Sequence, residues 1–407
     1  MATETLSPER FRTLDDVDID DKVVLVRVDI NSPINPFTGE IMNDLRIRAV
    51  LDTLKELEGS KVVLISHQSR PGMGDFTSLS LHTSVLRSYL GDRVRFVPDI
   101  IGPTAIREIR RLESGDILLL DNIRLMAEEM MKAPPEVHAN TLLVKTLSKH
   151  FNLYVNDAFS CIHRSHASLV GFPSHITSVI GRLMERELRA LNRVLGSEKD
   201  KLVFMLGGAK PEDRIGVIKN IFESSPKDCS FLLGGVIAKV FLVATGQRLP
   251  KSVKKETAAH YEEVEMAKSL LEKYGERLIL PVDYAYEMEG ERVEEPLENI
   301  KNSQMVYDVG LKTIEKYLQI MKGADLFCAN GPLGLMENPL FIRGTREALN
   351  TAAELKGYKL VGGGHLAALI EIENLKDRFD HVSTGGGSLL HLLSGRIPRA
   401  LQLLMKS

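Results

Sequence analysis

Short apolar runs alternate with amphipathic stretches along the whole chain, and this alternation constrains the fold more than any other feature. The strand-like runs lie at 22–29, 61–66, 93–97, 116–121 and 153–157, then at 201–206, 230–233, 277–282, 325–329, 358–361 and 380–383. Helix-like stretches at about 44–58, 79–90, 103–112 and 136–150 separate the runs of the first half. This pattern is typical of parallel sheets covered by helices, and it predicts an α/β fold with doubly wound sheets.

The chain is long enough for two such sheets. At 407 residues it exceeds the size of one comfortable hydrophobic core, so two domains are expected. An amphipathic stretch rich in Arg, Glu and Leu at 178–196 predicts a connecting helix. We therefore expect two Rossmann-like domains with a cleft between them: 1–177 together with the C-terminal tail 396–407, and 197–395.

Composition excludes several classes of protein. The net charge of −3 argues against a general nucleic-acid binder, and the three cysteines are too far apart for a disulfide framework. We see no apolar run of the roughly 18–20 residues needed to span a bilayer, and no export signal in MATETLSPER. We expect a cytoplasmic protein with neither nucleic-acid nor membrane partners; whether it is a monomer or a homodimer stays open.

The predicted strands of the second half end in glycines. These are Gly207-Gly208, Gly234-Gly235, Gly362-Gly363-Gly364 and, after Ser383-Thr384, Gly385-Gly386-Gly387. Uncovered backbone N–H groups at a helix N-terminus suit a phosphoryl group. The alternative is a set of tight turns that need glycine only for their backbone conformation. Four clusters in one half favour a phosphate site, since ligands of open α/β sheets collect at the carboxyl ends of strands.

The predicted strands of the first half end instead in polar and basic side chains. Asp29-Ile30-Asn31, His67 to Arg70, Asn122-Ile123-Arg124 and His163-Arg164 follow successive strands, and Arg46 opens the first helix. Guanidinium groups match carboxylate and phosphate oxygens bidentately. The alternative is a scatter of solvated charges. Their shared position after the strands favours a site for a small, multiply charged anion.

Taken together, these motifs resemble phosphoglycerate kinase over some 360 residues. The matching segments are Arg27-Val28-Asp29-Ile30-Asn31, Ser66 to Gly72, Asn122-Ile123-Arg124 with Glu128-Glu129, Val155 to Phe159 together with His163 to His166, Gly207 to Lys210, Leu280 to Asp283, Asn330 to Gly334, Gly362 to Gly364 and Ser383 to Gly387. No single motif is decisive, but about nine in register are highly specific.

The resemblance implies a role for each matching residue. Asp29, Asn31, Arg46, His67, Arg70, Arg124 and Arg164 would hold 3-phosphoglycerate or 1,3-bisphosphoglycerate. ADP or ATP would contact Gly207, Gly208, Lys210, Arg214, Asn330, Glu337, Gly362, Gly363, Gly364, His365, Thr384, Gly385, Gly386 and Gly387. Arg46, Lys210, Gly385 and Gly386 would act on the phosphoryl group in transit.

The implied chemistry fits these residue types. A carboxylate acceptor is already ionised at neutral pH, so no general base is needed and positioning with charge stabilisation suffices. Substrates on separate domains would require domain closure, which also excludes water.

Three positions depart from the family pattern. His365 stands where many members have an Asp that ligates magnesium, and Mg²⁺ prefers oxygen ligands. We therefore expect no protein metal ligand, with Mg²⁺ carried by the nucleotide phosphates and water. Arg214 stands where a second Lys is usual, and it keeps the charge but not the point-donor geometry of an ammonium group. Nothing in the sequence explains His391 in place of a Glu.

Rival interpretations have weaker support. Cys161, His163 and His166 form a C-x-H-x-x-H pattern, but no fourth zinc ligand is nearby. A dinucleotide dehydrogenase would carry G-x-G-x-x-G after its first strand, and we find none. A two-domain anion-binding protein without catalysis remains the non-enzymatic alternative.

Overall fold

A computed structural model describes residues 6–196, 201–224 and 228–406. The chain forms two compact units, one reaching Arg189 and including the segment from Ile397, the other running from Ala190 to Arg396. Each contains one six-stranded parallel sheet, which confirms the expected α/β class. No helix within the described ranges is long and apolar enough to cross a bilayer.

The first unit has a purely parallel sheet in the order β3-β4-β2-β1-β5-β6. Its strands are β1 Val23–Val28, β2 Lys61–Ile65, β3 Val94–Val97, β4 Ile117–Leu120, β5 Leu153–Asp157 and β6 Thr177–Ile180. Its helices are α1 Leu45–Ala49, α2 Leu51–Glu56, α3 Ser80–Leu90, α4 Pro103–Arg110, α5 Pro135–His138, α6 Leu142–Leu147 and α7 Ala167–Val170; α8 Arg182–Leu195 follows β6 and continues into the second unit.

Both faces of this sheet are buried. Side chains alternate along β1, so Val24, Val26 and Val28 enter one hydrophobic cluster while Leu25 enters the other. Leu54 and Leu86 cover the first face, and Ile109 and Leu143 cover the second. Burial on both sides explains why these strands are continuous apolar runs.

The second unit has a parallel sheet in the order β15-β14-β13-β7-β8-β9 and a separate antiparallel sheet in the order β11-β10-β12. The strands are β7 Leu202–Leu206, β8 Cys229–Leu233, β9 Leu278–Ile279, β10 Asp283–Met288, β11 Glu291–Pro296, β12 Val306–Val309, β13 Leu326–Asn330, β14 Tyr358–Gly362 and β15 His381–Ser383. The helices are α9 Pro211–Ser224, α10 Gly235–Ala244, α11 Lys251–Thr257, α12 Tyr261–Tyr274, α13 Leu311–Met321, α14 Arg343–Glu354, α15 Gly364–Ile372 and α16 Gly386–Leu393.

The predicted connecting helix at 178–196 was wrong at its start. Residues 177–180 form the edge strand β6, and the helix begins at Arg182, after Gly181. A Cβ at Gly181 would collide with the Asp157 side chain. That carboxylate accepts the Met184 N–H at 2.9 Å, while Thr53 Oγ1 accepts the Arg182 N–H at 2.8 Å. The helix therefore starts where side chains satisfy its first amides.

The antiparallel sheet was missed because its sequence carries little apolar alternation. β11 reads ERVEEP and leaves none of its residues fully buried. A two-residue turn joins it to β10, with φ 54° at Glu289 and 82° at Gly290. Positive φ at both positions fits a type I′ hairpin, which places the strands with the right twist. The same sheet begins at Asp283, so the run expected at 277–282 keeps only Leu278–Ile279 as a parallel strand.

Two predicted helices are broken. The stretch at 44–58 divides into α1 and α2, and the stretch at 136–150 divides into α5 and α6 with a 3₁₀ turn at Ser148–His150. Thr141 caps α6, since its hydroxyl accepts the Val144 N–H at 3.4 Å. A capping residue inside a helical pattern marks a new start.

The C-terminal segment packs in the first unit. A short helix α17, Arg399–Gln402, is followed by an antiparallel bridge between Met405 and Phe11. The Lys406 N–H donates to Arg10 O at 2.7 Å, and Lys406 Nζ lies 3.0 Å from Asp16 Oδ2. The last residues thus complete the sheet-bearing unit that begins the chain.

The buried histidine of α3 predicts acid sensitivity. His82 has no exposed surface, and burial lowers its pKa from 6.5 to about 4. Between those pH values His82 is protonated in the unfolded chain but neutral in the folded chain. The free energy of unfolding therefore falls as the pH drops from 6.5 towards 4, by up to about 3 kcal/mol for this group. We expect His82→Gln to flatten the loss of urea stability in this range. The exposed His365→Gln is the control, and an unchanged slope in His82→Gln would contradict the assignment.

Candidate active site

Polar residues follow four neighbouring strands of the first unit at one edge of its sheet. Asp29 comes just after β1, His67 after β2, Arg124 after β4 and Ser160 after β5. These strands are parallel and adjacent, so their carboxyl ends meet.

Asp29 is the central group of this edge. Its carboxylate accepts hydrogen bonds from Arg46 Nη1 at 2.7 Å, from the Asn31 N–H at 3.1 Å and from the Ser160 hydroxyl. Burial alone would raise the pKa of Asp29, but the positive charge of Arg46, the Ser160 hydrogen bond and the charge of Arg27 outweigh burial and hold the pKa well below its usual range. A buried, ionised carboxylate therefore fixes the position of Arg46.

His67 is buried beside Asp29 and stays neutral. Its Nδ1 lies 3.1 Å from Arg27 Nη2 and 3.9 Å from Asp29 Oδ1. Burial lowers its pKa well below 6.5, and the positive charges of Arg27, Arg124 and Arg164 act in the same direction, against Asp29. An imidazole in this position acts as a hydrogen-bonding group rather than as a cation.

Two arginines of this edge, Arg124 and Arg164, have no ion-pair partner among the described residues. Arg124 is buried and donates through Nη1 to Ser69 O. Burial, then repulsion by Arg164 and Arg27, lowers its pKa to about 10. We call Arg46, His67, Arg124 and Arg164 the basic cluster.

Two further predicted residues border the basic cluster. Asn31 Oδ1 accepts the Ser69 N–H at 2.8 Å, which links the end of β1 to the end of β2. Ser69 has φ 53°, and this unusual conformation turns the chain just before Arg70, whose side chain is exposed. Sequence reasoning named Arg27 and Ser69 only as members of matching motifs, without a role, and it overlooked Ser160, which nothing local distinguishes from other serines.

Glycine-bearing turns meet at the corresponding edge of the second unit. Gly207 N–H donates to Asn330 O at 3.0 Å, Gly208 N–H donates to Pro332 O at 2.8 Å, and Asn330 Nδ2 donates to Gly386 O at 3.2 Å. These contacts bring together the ends of β7, β13 and β15. We call Gly207, Gly208, Gly331, Gly362 to Gly364 and Gly385 to Gly387 the glycine cluster.

The close approach of these turns requires glycine. A Cβ at Gly207 would collide with the carbonyl of Pro332, and one at Gly386 would lie 2.8 Å from Gly363 Cα. Gly363 itself has φ 107°, which side-chain-bearing residues rarely adopt. By contrast, a Cβ at Gly364 would meet no atom within 4 Å. The glycines at 207 and 386 are thus needed for packing, whereas Gly364 faces open space.

Arg214 clamps the first glycine turn. Its Nε donates to Gly207 O, its Nη1 to Lys210 O at 2.6 Å and its Nη2 to Asn330 Oδ1 at 3.5 Å. Burial lowers its pKa. Most of its donors are therefore occupied by the protein, while the neighbouring Lys210 is exposed.

The remaining predicted nucleotide residues lie at helix starts and in one exposed pair. Gly385 N–H donates to Ser383 Oγ at 3.2 Å, and α16 begins at Gly386, directly after Thr384 and Gly385. His365, in the first turn of α15, has its Nε2 3.8 Å from Glu337 Oε1, with side chains 62% and 67% exposed. An imidazole is a poor ligand for Mg²⁺, so this pair does not form a magnesium site of the usual oxygen type.

The zinc interpretation of the C-x-H-x-x-H pattern fails. Within the described ranges, the one group of three candidate ligands at metal-binding spacing is Glu212, His260 and Glu263. Cys161 instead is buried and directs its thiol to Ala158 O at 3.4 Å.

Comparison with known proteins identifies the family of the chain. A family model described as phosphoglycerate kinase matches residues 14–396. The chain is 42% identical to phosphoglycerate kinase of Methanococcus maripaludis, over 98% of both chains. It is 43% identical to that of Saccharolobus solfataricus, over 97% of both chains.

Solved structures agree with the sequence comparison. The crystal structure of phosphoglycerate kinase from Pyrococcus horikoshii matches with a TM-score of 0.89 and 37% identity, covering 97% of this chain and 98% of that one. The enzyme from Coxiella burnetii matches over the same shares, with a TM-score of 0.78 and 29% identity. The chain therefore belongs to the phosphoglycerate kinase family.

Proposed function

We propose that the chain transfers a phosphoryl group reversibly between 1,3-bisphosphoglycerate and ADP, giving 3-phosphoglycerate and ATP. The observation that carries the proposal is the basic cluster, in which Arg124 and Arg164 lie near His67 without a carboxylate partner among the described residues. Arg124 is buried and Arg164 is half-buried, and their like charges repel each other. An anion would relieve this repulsion, and phosphoglycerate supplies a carboxylate and a phosphate.

The basic cluster binds the phosphoglycerate. Arg124 and Arg164, with the exposed Arg70, receive the anionic groups, while Asp29 and Asn31 provide acceptors for the hydroxyl of the substrate. Arg46 has one Nη1 contact to Asp29 and a side chain that is 34% exposed, so its other donors can reach the phosphoryl group. Its fixed position lets it stabilise charge on the transferring oxygens without reorganisation.

The glycine cluster binds the nucleotide. Gly207, Gly208 and Gly362 to Gly364 let the backbone approach the phosphates, and the N-terminus of α16 at Gly385 to Gly387 offers amide donors to the phosphoryl group. Lys210, Asn330, Thr384, Glu337 and His365 border the same edge. Arg214 serves the site by holding the Gly207 turn in place, because its donors already contact that turn.

The reaction needs no general acid or base. A β-phosphate oxygen of ADP attacks the acyl phosphorus, a new P–O bond forms, and the bond to the carboxyl oxygen breaks with its electron pair staying on 3-phosphoglycerate. Both the attacking and the leaving oxygens are ionised at neutral pH, so positioning and charge stabilisation supply the catalysis. The donor and acceptor must meet in line, so we propose that closure of the two units precedes transfer.

We propose that magnesium arrives with the nucleotide. Phosphate oxygens and water are its preferred ligands, and His365 offers nitrogen. The ion would neutralise phosphate charge, and no residue of the chain is assigned as its ligand.

Turnover tests the function directly. We expect ATP formation from 1,3-bisphosphoglycerate and ADP in a coupled assay. A protein that binds 3-phosphoglycerate but gives no ATP would support the alternative of an anion-binding protein without catalysis.

Arg46→Ala should leave the fold intact and lower kcat by about 10³-fold, because it removes charge stabilisation at the phosphoryl group. Arg48→Ala is the matched control: it lies on the same short helix and pairs with Asp44 at 2.9 Å. Steady-state kinetics check both variants. Equal kcat values for the two would remove Arg46 from the mechanism.

Arg70→Ala should weaken 3-phosphoglycerate binding by about tenfold, the value of one charged hydrogen bond, while ADP affinity stays unchanged. Titration calorimetry with each ligand separately measures this. An unaltered affinity for 3-phosphoglycerate would refute the role of Arg70.

Gly364→Ala should weaken ADP binding by at least about tenfold without lowering the melting temperature, since its Cβ meets no protein atom and would occupy space next to the nucleotide. Gly275→Ala is the control, because its Cβ also meets nothing within 4 Å. If calorimetry gives both variants the parent's ADP affinity, the turn at 362–364 does not approach the phosphates.

A further inference from the structure

A buried network of polar contacts links His67 to Arg27, Ser168 and Glu129. Arg27 is the one charged residue of β1, and it has no exposed surface. Alternation along the strand places it on the face of Leu25, opposite Val26 and Val28. A fully buried guanidinium requires partners for its donors and an anion for its charge.

Arg27 satisfies its donors in three directions. Its Nε donates to Ser168 Oγ at 2.8 Å, its Nη1 donates to Val28 O, and its Nη2 lies 3.1 Å from His67 Nδ1. Its nearest carboxylate oxygen, Glu129 Oε1, is 3.9 Å from Nη2. The Glu129 carboxylate therefore compensates the positive charge of Arg27 without accepting a hydrogen bond from Nη2.

Ser168 connects Arg27 to this carboxylate. The Ser168 hydroxyl donates to Glu129 Oε1 at 2.7 Å, and the Ser168 N–H donates to Glu129 Oε2 at 2.9 Å. Glu129 is fully buried, and its pKa lies below the usual value because His166 and Arg27 outweigh the effect of burial. The Ser168 hydroxyl thus donates a hydrogen bond to Glu129 and accepts one from Arg27.

The direction of these hydrogen bonds determines the tautomer of His67. A guanidinium only donates, so the nitrogen facing Arg27 Nη2 must accept. Nδ1 of neutral His67 is therefore bare, and the ring proton sits on Nε2. The rival partner for a protonated Nδ1, Asp29 Oδ1, is 3.9 Å away, beyond hydrogen-bond distance.

We propose that Glu129 and Ser168 are positioning residues that act through Arg27 to hold His67 as the Nε2–H tautomer. The proposal rests on the proposed function in one respect: the Nε2–H then donates to an anionic oxygen of phosphoglycerate. The opposite tautomer would present a lone pair to the same oxygen, which is repulsive. No residue in the described ranges forms a hydrogen bond with Nε2 of His67, so this donor is available to a ligand.

The arrangement also explains why Arg27 does not bind substrate itself. Arg27 pairs with Glu129 and Arg46 pairs with Asp29, whereas Arg124 and Arg164 have no ion-pair partner in the described part of the chain. Arg27 with Glu129 and Arg46 with Asp29 thus form two ion pairs, and the imidazole of His67 remains a neutral hydrogen-bond donor.

The experiment is ¹⁵N NMR of the full chain with labelled histidine, with the His67 signals assigned by their loss in His67→Gln. In the parent protein without ligand, we expect a bare Nδ1 and a protonated Nε2 at neutral pH. A protonated Nδ1, alone or in an imidazolium, would overturn the proposal. This measurement needs no substrate, so it stands or falls separately from the kinase assignment.

Ser168→Ala tests the remote link. It removes the hydroxyl but keeps the backbone bonds of residue 168, to Glu129 and from the Tyr154 hydroxyl at 2.7 Å. We expect a mixture of His67 tautomers and a KM for 3-phosphoglycerate raised about fivefold to tenfold, with KM for ATP unchanged. Ser178→Ala, another buried serine, whose hydroxyl contacts Ile176 O at 2.8 Å, is the control.

The positioning role and the proposed function can fail independently of each other. An unchanged tautomer and KM in Ser168→Ala would limit Glu129 and Ser168 to a structural role. If Ser168→Ala does not fold, Arg27→Lys provides the second variant, since an ammonium cannot contact Ser168 and His67 together. It should disturb the His67 signals, and parent-like signals would also overturn the proposal. Absence of turnover in the parent would refute the proposed function but not the tautomer.

Discussion

The first unit depends on a carboxylate that stays ionised while buried. Asp29 loses most of its water, yet Arg46, the Ser160 hydroxyl and the Asn31 amide replace that water with fixed donors. If Asp29 were protonated, Arg46 would lose its anchor and the pair of like charges at Arg124 and Arg164 would gain another uncompensated neighbour. The ionised carboxylate therefore makes it possible to concentrate positive charge at one end of a hydrophobic sheet.

The second unit presents backbone groups, rather than charged side chains, at the carboxyl ends of its strands. Its turns approach until a Cβ at Gly207 or Gly386 would collide with a neighbouring turn. The guanidinium of Arg214 holds one of these turns by its carbonyls. A charged ligand is thus offered amides and helix N-termini, whose positions are fixed by packing. The proposed function accounts for the different chemistry of the two edges, since side-chain cations suit a ligand with a carboxylate and a phosphate, and backbone amides suit a chain of phosphates.

Much of this organisation could be predicted from the sequence, because buried parallel strands are short apolar runs and their ends carry the functional residues. The parallel sheets and the positions of Asp29, Arg46 and the glycine turns follow from that rule, whereas the order of the strands in each sheet was not predicted. The edge strand at 177–180 escaped prediction because it is short and runs almost directly into a helix. The antiparallel sheet escaped because its solvent-facing strand is charged. Contacts such as Ser160 to Asp29 join residues 131 positions apart, so no local pattern announces them.

The most direct measurement is a crystal structure of the protein with 3-phosphoglycerate bound. The charge arrangement predicts anionic oxygens of the ligand within hydrogen-bond distance of Arg124 and Arg164, with the Nε2 of His67 as a further donor. A ligand that occupies another surface while Arg124 and Arg164 remain without an anionic partner would contradict the account.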